Sequence, residues 1–265
     1  MNKPKIDNSV FKRLRFVLVE TSSPGNIGAA ARAIKNMGFG ELVLVNPRFA
    51  NAVNEDAAIA FASGAQDILA GARIVSSVSE ALEGCNFAAA ISARLREFSP
   101  PVITPRAVAG QLVSDTTLQA ALIFGNERFG LPNEVVQQCN VLINIPANPE
   151  YSSLNLAQAV QVLAYECRMA ALEAAEGVAP ASIQSLSTIG FQGEMAGLAE
   201  IEGMFHHLEE ALVAIEFLKP DSPKKLMPRL KRLFARTQLE TEEVNILRGI
   251  ARQILAPKQE RKPKQ

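Results

Sequence analysis

The chain has few of the residues that build metal or disulfide chemistry. Its 265 residues hold three cysteines, Cys85, Cys139 and Cys167, widely spaced and with no CxxC. The two histidines, His206 and His207, are adjacent and far from them. A zinc site and a disulfide framework are therefore not expected. The N-terminal stretch lacks an apolar signal-peptide core, and no uncharged apolar run approaches the roughly 18 residues of a membrane span. The sequence thus reads as a cytoplasmic protein without a membrane segment. Charge of either sign is not in excess either: 27 Lys+Arg balance 27 Asp+Glu. Taken as a whole-chain sum, that zero argues against nucleic-acid binding, but a sum hides patches. What the chain does have is apolar material, 48% of its residues, enough for a sizeable core.

The first two-thirds alternates strand-like and helix-like segments. Arg15–Glu20, Leu42–Val45, Ile74–Val75, Phe87–Ile91, Ala120–Phe124 and Val141–Ile145 read as strands, being short, apolar and rich in β-branched residues. Between them, Gly28–Met37 has helical apolar spacing and ends at Gly38, a C-cap glycine. Phe61–Leu69 reads as one helix. Ser77 and Glu80 have capping-box spacing, and Thr104-Pro105 opens a helix through Leu112. Pro132 fits a first helical position, and Ser153 to about Ala174 forms a long apolar helix. Strands alternating with helices imply an α/β domain, residues 1–175, with a largely parallel sheet.

Residues 176–198 are rich in Gly, Pro, Ser and Ala with little periodicity and read as a linker. Three helices follow, at about 199–218, 222–236 and 240–256, within a helical unit spanning 199–257. Residues 258–265 form a polar tail expected to be disordered.

Three stretches concentrate polar residues directly after strands, where open α/β sheets place ligand sites. The first, Glu20 to Arg32, joins a strand to a helix through Ser22-Ser-Pro-Gly-Asn26. It lacks both the GxGxxG dinucleotide fingerprint and the GK[ST] of a P-loop. Arg32 lies away from the apolar face of its helix, which suits a cleft or plain solvent equally. The second, Leu122 to Pro132, sets Gly125 and Gly130 around Asn126 and Glu127. By itself it is also an ordinary strand-to-helix turn. The third, Ile143 to Ala157, is shaped by two prolines, with Ser152 or Ser153 as N-cap candidates and Asn155 inside the first helical turn.

In order and separation the three resemble the motifs of the SPOUT superfamily of RNA methyltransferases. Asn26-Ile-Gly-Ala-Ala-Ala-Arg32 is similar to its N-G-x-x-R element, here in an extended form. Gly125-Asn-Glu-Arg-Phe-Gly-Leu131 is similar to G-x-E-x-x-G-[LI]. Ile145, Pro146, Ser153, Leu154 and Asn155 match the I-P…S-L-N element. Within the superfamily, VLVETSSPGNIGAAARA, NPEYSSLNLAQAVQVLAYE and LNILRGI resemble the TrmJ branch, which 2′-O-methylates a ribose in the tRNA anticodon loop.

The resemblance implies an α/β parallel sheet with helices on both faces, a C-terminal trefoil knot and a small C-terminal helical domain. Knots are nearly absent elsewhere, so no propensity argument yields this one. It implies S-adenosyl-L-methionine as cofactor, held by Ile91, Ser92, Ala93, Gly125, Ile145, Ser152, Ser153 and Leu154. It implies Arg32 as catalytic residue, with Glu127 and Asn155 in support, and a homodimer in which Arg32 serves the partner's cofactor. Position 32 of tRNA is the expected target. Ribosomal RNA or another tRNA position is the alternative within the same chemistry, and a non-catalytic RNA-binding protein the alternative outside it.

The charge pattern adds a candidate RNA contact. From Lys219 to Arg236 there are seven bases and one acid, Asp221. Lys225, Arg229, Arg232 and Arg236 recur at three- and four-residue steps, as on one helix face, and suit a phosphate backbone. A solvated helix face is the plain alternative. Residues 171–216 carry eight acids and no Lys or Arg, so the neutrality of the chain is a sum over opposed patches.

Overall fold

A computed structural model of the chain describes residues 9–94, 99–176, 194–220 and 225–256. Most of the expected linker and the whole 258–265 tail lie outside the described residues.

Seven strands form one sheet: β1 (Leu14–Val19), β2 (Glu41–Val45), β3 (Arg73–Val75), β4 (Phe87–Ile91), β5 (Val102–Ile103), β6 (Ala120–Phe124) and β7 (Val141–Ile143). All pairings are parallel, in the order β3-β2-β1-β6-β4-β7-β5. The helices of this part are α1 (Ser9–Arg13), α2 (Pro24–Asn36), α3 (Asp56–Ala62), α4 (Gln66–Ala70), α5 (Val78–Ala81), α6 (Pro105–Ser114), α7 (Asn133–Gln137) and α8 (Leu156–Ala175).

The inner strands β4, β6 and β7 read as unbroken apolar runs because both sheet faces are covered there. On β1, Leu14, Phe16 and Leu18 pack into one core with residues of α2, α6 and α8. Val17 and Val19 point the other way, into a second core with Ala81 of α5 and Val135 and Val136 of α7. Fully burying such a side chain is worth about 1.5–3 kcal/mol, so a one-residue slip of β1 is strongly disfavoured. The expected α/β architecture, a parallel sheet with helices on both faces, is what the chain adopts.

Several expected boundaries move. Phe61–Leu69 is not one helix: Ser63 takes a left-handed φ of +52° and ends α3, and α4 starts at Gln66. The apolar spacing of Phe61, Ala62, Ala65, Ile68 and Leu69 runs across that break and hides it. α2 starts four residues before Gly28, because Pro24 occupies its first position. Gly38, at φ +87°, ends it as expected. β7 stops at Ile143, which leaves Asn144 and Ile145 in a loop. Pro132 precedes α7 as its cap rather than occupying the first position. Ser77 and Thr104 cap α5 and α6, accepting from the N–H groups of Glu80 and Ala107.

Three further helices follow: α9 (Leu198–Ala214), α10 (Leu226–Phe234) and α11 (Thr241–Leu255). They enclose their own apolar cluster, including Met204, Phe205, Leu218, Met227, Leu239 and Val244. Arg229 and Arg232 lie within α10, but Lys225 is its N-cap and Arg236 falls beyond its end. The expected four-residue face is therefore two helical residues flanked by two that the helix does not carry. Ala235 closes α10 one residue before Arg236. Among the described residues no helix is long and apolar enough to cross a membrane.

Candidate active site

The loops of interest leave the C-terminal ends of β1, β6, β4 and β7, which are four consecutive strands of the sheet. Segments more than a hundred residues apart in sequence thus meet at one sheet edge. This is where α/β folds bind ligands.

The loop after β6 is a tight turn. Asn126 and Gly130 exchange backbone hydrogen bonds of 3.2 and 2.8 Å, and Asn126 Oδ1 accepts from the N–H groups of Arg128 and Phe129. Gly130 sits at φ +72°, a left-handed conformation that glycine adopts at little cost. Gly125 is required for a different reason. A Cβ there would stand 2.3 Å from the carbonyl carbon of Gly130 and 2.4 Å from the nitrogen of Leu131.

The turn aims Glu127 at the start of α2. Its carboxylate accepts from Ser22 N at 2.9 Å, Ser22 Oγ at 2.8 Å, Ser23 N at 3.2 Å and Asn26 Nδ2 at 2.9 Å. Ser23, the N-cap of α2, makes no side-chain capping bond, and its own backbone N–H is taken up by Glu127 from another loop. A negative charge at a helix N-terminus is also favoured by the helix dipole. Partial burial pushes the Glu127 carboxyl up, but the hydrogen bonds from Asn26 and Ser22 outweigh it and hold the group below its ordinary 4.5.

Asn155 completes the connection. It does not lie inside the first turn of α8 but is its N-cap, with Oδ1 accepting from Ala157 N at 2.9 Å and Gln158 N at 3.4 Å. That role had been expected of Ser152 or Ser153; both lie before the helix, which begins only at Leu156. The amide of Asn155 donates to Asn26 Oδ1 at 3.0 Å. An unbroken chain, Asn155 to Asn26 to Glu127, therefore ties the three loops together. Asn144 does the same on the other side, donating to the carbonyls of Ser92 at 3.1 Å and Ala93 at 3.5 Å.

These ties frame a cavity of about 150 Å³. It is lined by all eight residues expected to hold a cofactor: Ile91, Ser92, Ala93, Gly125, Ile145, Ser152, Ser153 and Leu154. Glu127 lines it too, as do Arg94, Arg128 and the 79%-exposed Phe129. Phe124 and Leu156 add apolar wall. Arg32 is not part of the lining. It is exposed on α2, and its guanidinium forms no hydrogen bond or ion pair with any described residue.

Ser22 and Asn144 were given no role by the sequence, and Asn26 and Asn126 stood in the motifs without one. Asn26 carried a signal, being the leading residue of the first motif. Asn144 carried none beyond its place after a strand. Among the described residues no group of His, Cys, Asp and Glu is arranged to hold a metal ion. The cysteines are buried, and burial pushes Cys139 and Cys167 up to about 12, which makes them inert as nucleophiles.

Four parallel strand ends, three interlocked loops and the cavity they frame make a candidate ligand site of the α/β kind, and the relatives of the chain are methylases. A sequence model described as the SpoU rRNA Methylase family matches residues 13–165, and one for the C-terminal domain of the tRNA methyltransferase TrmJ matches 199–265. The chain belongs to the SpoU methylase family. It is 47% identical over 240 residues to the tRNA (cytidine/uridine/adenosine-2′-O-)-methyltransferase TrmJ of Pseudomonas aeruginosa, covering 90% of this chain and 92% of that one. Identity to the tRNA (cytidine/uridine-2′-O-)-methyltransferase TrmJ of Cronobacter sakazakii is 42%, covering 95% and 100%. The crystal structure of TrmJ from Z. mobilis superposes with a TM-score of 0.76 at 31% identity, over 91% of this chain and 99% of that one.

Proposed function

We propose that this protein is an S-adenosyl-L-methionine-dependent tRNA 2′-O-methyltransferase acting on a cytidine or uridine ribose of the anticodon loop, at position 32. The observation that carries this reading is the convergence of the three motif loops on one cavity lined by all eight expected cofactor residues. The relatives named for tRNA favour that substrate over ribosomal RNA. They differ in whether adenosine is accepted, so the base range is read out by the experiment below.

The cavity suits the cofactor chemically. Ile91, Phe124, Ile145, Leu154 and Leu156 would offer apolar wall to its adenosine, and Ser92, Ser152 and Ser153 would supply polar contacts to its charged groups. Bound there, the cofactor supplies a methyl group activated on a sulfonium. Glu127 has its acceptors filled by Ser22, Ser23 and Asn26, so it positions loops and is not a general base. Arg32 carries a guanidinium with no acceptor and a permanent charge. It serves to hold a substrate phosphate and to stabilise negative charge developing on the 2′-oxygen. A phosphate oxygen or water takes the proton.

Because Arg32 stands outside the cavity, it acts on the site of a second subunit, and the working form is a homodimer. The 79%-exposed Phe129 and 81%-exposed Tyr151 beside the site are surfaces a partner would cover. We further infer that the segment after β7 is threaded as a trefoil knot, that residues 199–257 form a helical tRNA-binding domain with Lys225, Arg229, Arg232 and Arg236 facing RNA, and that the enzyme is cytoplasmic.

The test is to incubate the protein with labelled cofactor and with tRNA and ribosomal RNA from a strain lacking the gene, and to map the 2′-O-methyl positions. Arg32→Ala is expected to abolish incorporation while cofactor affinity stays near wild type. Wild-type turnover in that variant, or sedimentation of the native protein as a monomer at working concentration, would overturn the assignment.

A further inference from the structure

The C-terminal helices carry a cationic hollow distinct from the cavity and from the α10 residues. α9 and α11 pack against each other with Met204, Ala211, Val244 and Ala251 buried. His207 of α9 and Asn245, Arg248, Gly249 and Arg252 of α11 line one open hollow of about 420 Å³. No carboxylate lines it. Asn245, Arg248 and Arg252 step by three and four residues and so share one face of α11.

Arg248 is seated there. It is half-buried, and its guanidinium lies across α9 at Gly203, where a Cβ would stand 2.5 Å from Nη2. Glycine is poorly suited to a helix interior, and its presence at this point opens the space that the guanidinium fills. Of the acids of α9, Glu210 lies 3.4 Å from His206, Glu200 accepts from Gly197 N at 2.9 Å and Glu202 accepts from Ser79 Oγ and Gln138 Nε2, and no acid of α9 lines the hollow. Among the described residues neither Arg248 nor Arg252 forms an ion pair or a side-chain hydrogen bond. Lys225, Arg229 and Arg232 differ, since each already holds an interaction within the chain. A half-buried guanidinium without an acid is an incomplete pair, and its planar fork matches phosphate oxygens two at a time.

We propose that the α9–α11 seam is a phosphate-binding site for the backbone of the RNA substrate, with Arg248 and Arg252 as its cations and His207 and Asn245 at its sides. The inference rests on the RNA-methyltransferase reading and gives that reading a second, remote contact. The hollow is open, so a polymer backbone can pass over it.

The test uses the full chain and a fluorescently labelled, unmodified tRNA transcript, with anisotropy titrations over a series of salt concentrations. Arg248→Gln/Arg252→Gln is expected to weaken binding about tenfold at low salt and to make the log–log salt slope shallower by about one to two. Turnover at subsaturating tRNA falls with the affinity, while cofactor binding measured by calorimetry stays near wild type. Lys12→Gln, at an exposed position of α1 outside the helical unit, serves as a control for net charge and leaves the slope unchanged. An unchanged slope in the double variant overturns the proposal. If the double variant does not fold, Arg252→Gln alone, at an exposed position, must lower the slope by about one, and failure to do so overturns it equally. Displacement of tRNA by inorganic phosphate at equal phosphate concentration would make this a free-anion site and refute the RNA assignment. A wild-type protein that neither binds nor methylates any tRNA refutes the functional reading as well, whereas an active wild type with unaltered variants refutes this site alone.

Discussion

Replacing Glu127 by glutamine separates a positioning carboxylate from a chemical one. Four donors converge on its two oxygens. If the remaining oxygen of the amide stays with Ser23 N and Asn26, the new –NH₂ faces Ser22 N. The Ser22 hydroxyl can rotate and accept, but the backbone N–H cannot. One orphaned, part-buried donor plus the loss of charge assistance costs about 2 kcal/mol. Glu127→Ala frees Ser22 N, Ser23 N and Asn26 together; water replaces part of what is lost, so about 2–4 kcal/mol is expected. The loss also has a pH signature. The Glu127 carboxyl is held below 4.5 in the folded protein. A depressed carboxylate contributes stability that is fully present above its ordinary value and fades as pH falls through its folded value. The exposed carboxylates Asp67 and Glu80 are likewise depressed, but they are unchanged in the variant and cancel in the difference. Urea unfolding of wild type and Glu127→Gln should therefore show a gap of about 2 kcal/mol at pH 7 that narrows below about pH 5. A gap independent of pH, or no gap at all, would refute the bonding pattern as the source of the loop's order.

Other positions test the same framework. Asn155→Ala removes an N-cap and the bond to Asn26 together; about 1–2 kcal/mol of stability should be lost, with methylation falling more than cofactor affinity measured by calorimetry. Gly125→Ala forces a Cβ into the backbone of Gly130 and Leu131; cofactor binding should fall at least tenfold, since the turn must open. Gly28→Ala places a Cβ 2.0 Å from the carbonyl oxygen of Ala58. The helix-propensity gain of about 1 kcal/mol should be outweighed by α2–α3 overpacking of about 1–3 kcal/mol or more, seen as a lower urea midpoint.

The sheet was legible because its signal is local. Four to six consecutive apolar, largely β-branched or alanine residues bounded by turn residues mark a strand that is covered on both faces, and β2, β4 and β6 fall on Leu42–Val45, Phe87–Ile91 and Ala120–Phe124 within a residue. The order of the strands was not legible, because pairing is set by long-range contacts. The site shows the same division. Gly125, Glu127 and Asn155 stand out as types in place, whereas Asn26 takes its meaning from Glu127, a hundred and one residues away. Asn155 was misplaced because its capping signal competes with Ser152 and Ser153, and only the start of α8 at Leu156 decides between them. The α3–α4 break was missed because periodicity registers which residues are apolar and is blind to a left-handed Ser63.

Net charge is the poorest guide here, and the structure gives the reason. Acids of the C-terminal part concentrate on α9, where Glu200 and Glu210 are engaged locally through the helix cap and His206. Its bases concentrate on α10 and α11, and at the α9–α11 seam Arg248 meets no carboxylate within ion-pair distance among the described residues. The zero sum along the chain therefore leaves Arg248 and Arg252 unmatched at the seam, among the described residues. A field confined to such a seam decays over the Debye length, about 8–10 Å at physiological salt, so it grips a backbone that touches the seam and does little to one that does not. That geometry predicts weak general affinity for nucleic acid, with salt-sensitive hold reserved for an RNA that reaches the seam and the β1–β6–β4–β7 loop ends together.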